Sequence, residues 1–235
     1  MVGLADKPAH APRARTVRSF VNRAGRITVG QERALVKLWP RFGVEFAAQP
    51  LNLDALFGRA AHRVMEIGFG NGEHLAALAH AHPERDYLGV EVHRPGVGHL
   101  LLALEALALG NVRIVCHDVV EVLERQIPSR AFDEVLILFP DPWPKKRHHK
   151  RRLIQMSFVA LLCERLKTGG ILRLTTDWQP YAEQMLEVLD AEPRLANVAL
   201  DERFMPRPAD RIRTRFEMRG ERLGHGVWDL AYRLK

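Results

Sequence analysis

From about residue 60 onward, short hydrophobic runs alternate with helical periodicities along the chain. The predicted strands are Arg63–Ile67, Tyr87–Val92, Val112–His117, Glu134–Phe139 and Ile171–Thr175. The predicted helices that follow them are Glu73–His82, Val97–Leu109, Val119–Gln126, Arg152–Leu166 and Tyr181–Asp190. Strands separated by helices are typical of a parallel sheet covered by helices on both faces. The pattern therefore predicts an α/β fold, in which Gly169-Gly170 ends the fourth helix.

Both ends of the chain depart from this alternation. Residues 1–30 are rich in Arg, Pro, Ala and Gly and show no sustained periodicity, so we expect a flexible or loosely docked basic extension before a single domain at residues 31–235. Near the other end, Thr214–Leu223 and Val227–Leu234 flank Gly224-His225-Gly226. Two such segments around a short glycine-containing connection predict an antiparallel hairpin.

The basic residues are concentrated in a few segments. The formal net charge is +7. Residues 145–152 hold six Lys or Arg and no acid, and residues 1–26 and 203–222 are also rich in arginine, whereas the rest of the chain is net acidic. Such segments bind polyanions by neutralising phosphates and releasing counterions. For the N-terminal segment, a merely solvated surface is an equally good interpretation.

Composition excludes several classes of protein. Hydrophobic residues make up 47% of the chain and charged residues 27%, a balance typical of globular proteins and not of disorder. No apolar run approaches the ~20 residues of a membrane-spanning helix. The cysteines Cys116 and Cys163 lack metal-binding spacing. We expect a soluble cytoplasmic protein without disulfides or metal, with a monomer favoured.

The first predicted strand runs into a glycine loop, Glu66-Ile67-Gly68-Phe69-Gly70-Asn71-Gly72. Glycines such as Gly68 and Gly70 let a ligand approach the backbone, although a glycine loop alone is often only a tight turn. The spacing differs from the G-x-G-x-x-G of dinucleotide-binding proteins. Further acids, Glu91, Asp118 and Asp141, end or follow the next three strands. The carboxyl ends of parallel strands border one crevice, so these acids and Glu66 are expected around one ligand.

This ring of acids favours one cofactor over another. A pyrophosphate would be repelled by four carboxylates, whereas S-adenosylmethionine carries a sulfonium, an ammonium and ribose hydroxyls but no phosphate. The glycine loop and the acids therefore predict a nucleoside cofactor, with S-adenosylmethionine preferred to NAD.

The fourth strand is followed by an acid, an aromatic residue and a basic run. Pro140 and Pro142 restrict the backbone on either side of Asp141, and Trp143 offers a ring on which a base can stack, unless it is a core or lid residue. The histidines of the run are interpreted as part of a solvated basic loop rather than as metal ligands. Asp177 and Glu217 are candidate acceptors for guanine N–H groups. The alternative role for Asp177 is a helix N-cap, and that for Glu217 is a cross-strand ion pair.

These residues resemble the bacterial tRNA (guanine-N7-)-methyltransferases from about residue 64 to the C-terminus. The most specific part is Pro140-Asp141-Pro142-Trp143 with the basic residues after it. Also similar are Glu66-Ile67-Gly68-Phe69-Gly70, Gly89-Val90-Glu91-Val92-His93, Thr176-Asp177-Trp178 and residues 214–219 with Gly224-His225. The resemblance implies the class I methyltransferase fold, which is a Rossmann-like, doubly wound, mostly parallel sheet of about seven strands with a C-terminal antiparallel hairpin.

The resemblance also implies a reaction and its residues. The family transfers a methyl group from S-adenosylmethionine to N7 of a guanosine in the tRNA variable loop, at tRNA position 46. The cofactor site would comprise Glu66, Gly68, Gly70, Glu91, Asp118 and Asp141, with Asp141 also catalytic. Substrate contacts would be Lys145, Asp177, Thr214, Arg215, Phe216 and Glu217. RNA contacts would be Arg147, His148, His149, Lys150, Arg151 and Arg152.

Three alternative functions remain open from the residues alone. An amino-methyltransferase often carries an acid or Asn before Pro-Pro and an aromatic residue, and here the second proline is absent after Asp141-Pro142. An NAD-linked dehydrogenase fits the glycine spacing and the acids less well. The third alternative is a non-catalytic RNA-binding protein on a relict methyltransferase fold. The presence of every acid in the crevice argues against it, because such a protein would not need them.

Overall fold

The computed structural model describes residues 17–20, 25–199, 203–208, 217 and 226–235. The strands are β1 (Gly43–Val44), β2 (Arg63–Ile67), β3 (Asp86–Val90), β4 (Val112–Val115), β5 (Phe132–Leu138), β6 (Leu166–Thr176), β7 (Leu195–Asn197) and β8 (Trp228–Leu234). The α-helices are α1 (Val29–Lys37), α2 (Trp39–Phe42), α3 (Leu53–Phe57), α4 (Glu73–Ala81), α5 (Arg94–Ala106), α6 (Val119–Arg125), α7 (Met156–Arg165) and α8 (Gln179–Asp190). A 3₁₀ helix spans Lys146–Arg151.

Within the described residues the strands form one eight-stranded sheet in the order β1-β4-β3-β2-β5-β6-β8-β7. β1 to β6 pair in parallel, and β8 lies antiparallel between β6 and β7. The predicted α/β fold, with a mostly parallel sheet and antiparallel C-terminal strands, is confirmed. The sheet is one strand larger than the predicted seven, because the two-residue β1 and the three-residue β7 are too short to leave a pattern in the sequence.

Two predictions about local connections need correction. α7 ends at Arg165, and Leu166 is already extended, so Gly169-Gly170 does not end the fourth helix. The glycine pair lies inside β6, where the pairing with β5 shifts register. The predicted hairpin is replaced by pairing of β8 with β6 and β7. Its other predicted strand lies outside the described residues except for Glu217, whose backbone is helical.

Side chains at alternating positions of the strands pack into two separate hydrophobic cores, one on each face of the sheet. Val64 of β2 packs with residues of α1, α4 and α5, whereas its neighbour Met65 packs with residues of α6, α7 and α8. This alternation is the two-residue period of a pleated strand buried on both faces. Because β2 to β6 run parallel, each of the helices α4 to α7 returns the chain from the carboxyl end of one strand to the amino end of the next. The loops that follow these strands therefore meet at the carboxyl end of the sheet. None of the described helices is long and apolar enough to cross a membrane.

Candidate functional site

A cleft of ≈ 640 Å³ lies at the edge of the sheet where β2, β3 and β5 end. This volume suits a ligand of nucleoside size. The lining includes the glycine loop, Glu66, Glu91, His117, Asp141 and, from the N-terminal segment, Ser19 and Phe20. The structure therefore brings together three of the four predicted acids around one cleft.

The glycine loop leaves open space at the place where a ligand is expected to contact the backbone of the protein. Gly68 and Gly70 have φ angles of 72° and 57°, a region that residues with a Cβ rarely adopt. A Cβ added at either position would meet no atom within 4 Å, so open space lies in front of the loop. The loop then enters α4, whose first turn follows at Glu73.

Glu91 fixes the glycine loop to the end of β3. One carboxylate oxygen accepts a hydrogen bond from Gly70 N at 2.9 Å, and the other accepts from Val92 N at 2.6 Å and His93 N at 2.9 Å. Three of the carboxylate's roughly four lone-pair directions are thus used. The predicted contact with ribose hydroxyls stays a prediction, with room left for one strong bond.

Glu66 has a partner that the sequence did not reveal. Glu66 is buried to 2% exposure, and its Oε2 lies 3.0 Å from Nδ1 of the buried His74 in α4. An ionised carboxylate can only accept, so Nδ1 carries the proton in that state. The only signal in the sequence is a histidine in the first turn of a helix that follows an acid-glycine loop.

Asp118 stands slightly apart from the other acids. Its side chain accepts a hydrogen bond from Val120 N at 3.0 Å and so caps the N-terminus of α6. The cleft wall here is formed by its neighbours His117 and Val119. The His117 ring stacks on Phe46, with centroids 3.8 Å apart.

The loop that carries Asp141 has an unusual backbone. Phe139 and Trp143 have φ angles of 50° and 44° although neither is glycine. Such residues cost of order 1–3 kcal/mol each and persist only where the surrounding structure holds them. They bracket Pro140-Asp141-Pro142 and turn the exposed Asp141 toward the cleft, of which it forms part of the wall.

Trp143 is already engaged by the chain itself. Its Nε1 donates a hydrogen bond to Ser19 O at 3.2 Å, and the Arg151 guanidinium lies 5.0 Å from the ring centroid. His148 meets the ring edge-on at 5.8 Å. Part of the ring, a candidate stacking surface, is therefore covered. Ser19 and Phe20 lie against the cleft, which agrees with the loosely docked alternative for this part of the N-terminal extension.

The basic run forms the 3₁₀ helix and its flanks. Lys145, Lys146, Arg147 and Lys150 are exposed, and His148 and His149 are partly buried. Desolvation and the neighbouring cations lower the pKa of His148 and so favour its neutral ring, whereas Lys and Arg supply the positive charge of the run. Among the described residues no group of His, Cys, Asp or Glu is arranged to hold a metal ion.

Arg152 corrects the prediction of an RNA contact. Its side chain is buried to 4% exposure and donates to carbonyl oxygens of the chain, so it does not face a phosphate. The physical reason is that the 3₁₀ helix ends at Arg151, and the next residue turns inward against α8.

The remaining predicted substrate residues are only partly described. The N-cap of α8 is Trp178 without a side-chain cap, so the N-cap alternative for Asp177 is wrong. Glu217 is fully buried and paired with Arg207 Nε at 3.0 Å, so it does form an ion pair, although not between strands. Thr214, Arg215 and Phe216 lie outside the described residues.

Comparisons with known proteins agree with this geometry. A family model described as "Putative methyltransferase" matches residues 60–230. A curated protein of Alkalilimnicola ehrlichii named tRNA (guanine-N(7)-)-methyltransferase is 58% identical, over 93% of this chain and 93% of its own length. A protein of the same name from Leifsonia xyli subsp. xyli is 57% identical, over 92% of this chain and 95% of its own length.

Solved structures share the fold at low sequence identity. The 16S rRNA methyltransferase KamB superimposes with a TM-score of 0.53 at 15% identity, covering 78% of this chain and 92% of that one. The aminoglycoside resistance methyltransferase NpmB1 gives a TM-score of 0.52 at 14% identity, with the same coverage. At such identity the likeness concerns the fold alone, which is that of the methyltransferases.

Proposed function

The chain belongs to the tRNA (guanine-N(7)-)-methyltransferase family, and on that premise we propose that it methylates N7 of a guanosine at position 46 of the tRNA variable loop, with S-adenosylmethionine as donor. One observation carries the proposal. A single loop, between β5 and the 3₁₀ helix, joins an acid-lined cleft to an exposed basic surface. A cationic donor and a polyanionic substrate would meet at Asp141. The cytoplasmic location and the monomeric state expected from the sequence stay predictions.

The residues present fit S-adenosylmethionine. The space in front of Gly68 and Gly70 admits a ligand against the backbone, and the cleft wall carries carboxylates and no Lys or Arg among its described residues. A phosphate-bearing cofactor would find no countercharge there. When bound, S-adenosylmethionine supplies an activated methyl group on a positively charged sulfur.

The chemistry of the acceptor explains what the chain must contribute. Guanine N7 has a free lone pair and no proton, so its attack on a methyl group requires no general base. Catalysis then consists of alignment and of stabilising the positive charge that develops on the purine. The Asp141 carboxylate, which lies between two prolines on the cleft wall, would provide that stabilisation.

The basic surface supplies the second half of the proposal. Lys145, Lys146, Arg147 and Lys150 are exposed next to the cleft, on a segment without a single acid. Such a surface holds the phosphates of a folded RNA and positions it without reading its sequence. The target guanosine would leave its stack to reach the cleft.

The proposal is tested by incubating the protein with unmodified tRNA and methyl-labelled S-adenosylmethionine and identifying the labelled nucleoside. We expect N7-methylguanosine, which is cationic and alkali-labile. Chain cleavage at the modified nucleotide then maps its position, and a transcript with adenosine at position 46 serves as the matched control.

Other products would contradict specific parts of the proposal. A methylated exocyclic amine would identify an amino-methyltransferase. N7-methylguanosine elsewhere in the tRNA would refute the position. Absence of S-adenosylmethionine binding in calorimetry would favour a relict that only binds RNA.

Replacing His74 with leucine is expected to weaken S-adenosylmethionine binding by about ten- to a hundredfold, because Glu66 then loses its hydrogen-bond partner in a buried site. His74→Asn is the matched variant, since the asparagine amide nitrogen takes nearly the place of Nδ1 and retains a donor. Calorimetric titration of the donor measures both. Equal affinities for the leucine variant and the wild type would show that the Glu66–His74 bond does not support the site.

A further inference from the structure

The Arg152 side chain bridges two loops at the rim of the cleft. Its Nε donates to Pro142 O at 2.9 Å, and its Nη1 lies 3.4 Å from both Pro180 O and Gln184 Oε1. The guanidinium lies over the Tyr181 ring, 4.8 Å from its centroid. Pro142 follows Asp141 directly, and Pro180 lies in the first turn of α8, three residues after Asp177.

The elements that Arg152 contacts are themselves tied to one another. Tyr181 OH accepts a hydrogen bond from Ile154 N at 3.2 Å, and Gln184 Nε2 donates to Ile154 O at 2.8 Å. Gln155 Nε2 donates to His149 O at 3.2 Å. The chain on either side of Arg152 is thereby fixed to α8 and to the 3₁₀ helix, so the arginine has a rigid base from which to hold the Asp141 loop.

The environment of Arg152 is costly for a charge. Burial lowers the pKa of the guanidinium, and its described hydrogen-bond partners are neutral oxygens. Within the part of the chain that the structure describes, no carboxylate forms an ion pair with it. An apolar side chain would fill this space without the desolvation penalty. A role beyond packing accounts for a charged group here.

The Asp141 loop needs such a restraint. Phe139 and Trp143 hold left-handed backbone conformations on either side of Pro140-Asp141-Pro142. Strained backbone relaxes unless neighbouring groups hold it. The bond from Arg152 to Pro142 O acts between the two strained residues, one peptide unit from Asp141.

We propose that Arg152 is a positioning residue for methyl transfer, which holds the Asp141 loop against the start of α8 and so keeps Asp141 at a fixed spacing from Asp177, the residue that follows β6. The role rests on the proposed function, since it concerns the geometry of that reaction. Arg152 acts through the Pro142 carbonyl and not by contact with RNA.

The test compares Arg152→Met with Arg151→Met. We expect Arg152→Met to lower kcat at saturating tRNA and donor by about ten- to a hundredfold, because a displacement of about 1 Å in a reacting constellation has effects of this size. The dissociation constants for tRNA and S-adenosylmethionine and the salt dependence of tRNA binding should stay within twofold of wild type. Arg151→Met should instead weaken tRNA binding and reduce its salt dependence.

A double-mutant cycle separates positioning from a merely structural role. If Arg152 acts through Asp141, the loss of kcat on Arg152→Met should disappear in an Asp141→Asn background, since the two act as one unit. Multiplying losses would overturn the inference. So would unchanged kcat with weaker tRNA binding, which would make Arg152 an RNA contact.

Two further variants keep the test decisive if Arg152→Met does not fold. Arg152→Lys retains one donor and is expected to lose less activity than the methionine variant, and Gln184→Leu removes an acceptor at the far end of the bridge. Wild-type kcat in both would overturn the inference. Wild-type protein that makes no N7-methylguanosine would instead refute the proposed function, so the two failures are distinguishable.

Discussion

Asp141→Asn is expected to lower kcat by about 10²–10³-fold while leaving tRNA affinity within about twofold of wild type. Asparagine preserves the shape of the side chain but removes the negative charge that would face the purine as it becomes positive. Because N7 has no proton to lose, this electrostatic contribution, together with alignment, is the main one that the chain can make. Single-turnover methylation with saturating protein measures the chemical step directly.

Glu105→Gln is the matched control for Asp141→Asn. Glu105 is exposed near the C-terminal end of α5, and that end of the helix leads back to the opposite edge of the sheet from the cleft. The substitution removes one negative charge from the same protein and should leave the rate unchanged. Near-normal turnover of Asp141→Asn, or an equal loss in both variants, would refute the assignment of Asp141 as the catalytic residue.

Reversing two charges on the 3₁₀ helix, Arg147→Glu with Lys150→Glu, is expected to weaken tRNA binding by about ten- to a hundredfold at physiological salt. Both side chains are exposed. The slope of log K against log salt should become shallower by about one unit for each phosphate contact that is lost. Filter binding or fluorescence titration over a range of salt concentrations gives affinity and slope together, and donor binding should not change.

The control for the charge reversal is Arg125→Glu with Arg130→Glu. These arginines lie at the end of α6 and in the turn before β5, at the edge of the sheet away from the cleft. Both doubles reverse two positive charges and so change the net charge equally, but only the first should reduce the salt dependence of tRNA binding. If the two doubles weaken tRNA binding equally, the effect is one of net charge, and the 3₁₀ helix is not a specific RNA surface.

The strands and their acids were predictable because the signal is local. β2 matches its predicted bounds at both ends, and α4 ends one residue before its predicted limit. Where a buried strand is followed by a helix, the spacing of the hydrophobic residues changes, and this change is visible within a short stretch of sequence. Because parallel strands end at one edge, the meeting of Glu66, Glu91 and Asp141 at one cleft followed from the order of elements alone.

The partners of those acids were not predictable. Glu66 and His74 are eight positions apart across a loop, and Trp143 and Ser19 are 124 apart. Nothing in the local pattern fixes these distances. The short edge strands β1 and β7 were missed for a related reason, since two or three residues do not establish a period.

The basic run shows most clearly what each level decides. By itself the sequence determined the alternation of strands and helices, the acids at the strand ends and the six positive charges in residues 145–152, because each depends on neighbours along the chain. Only the tertiary structure decided that Arg152 points inward to Pro142 and α8 while Arg147 and Lys150 face solvent. Residue type sets the charge of a side chain. Whether Arg152 is buried depends on α8, which begins almost thirty residues further along the chain and packs against it. That burial determines whether an arginine can bind RNA or instead positions a loop.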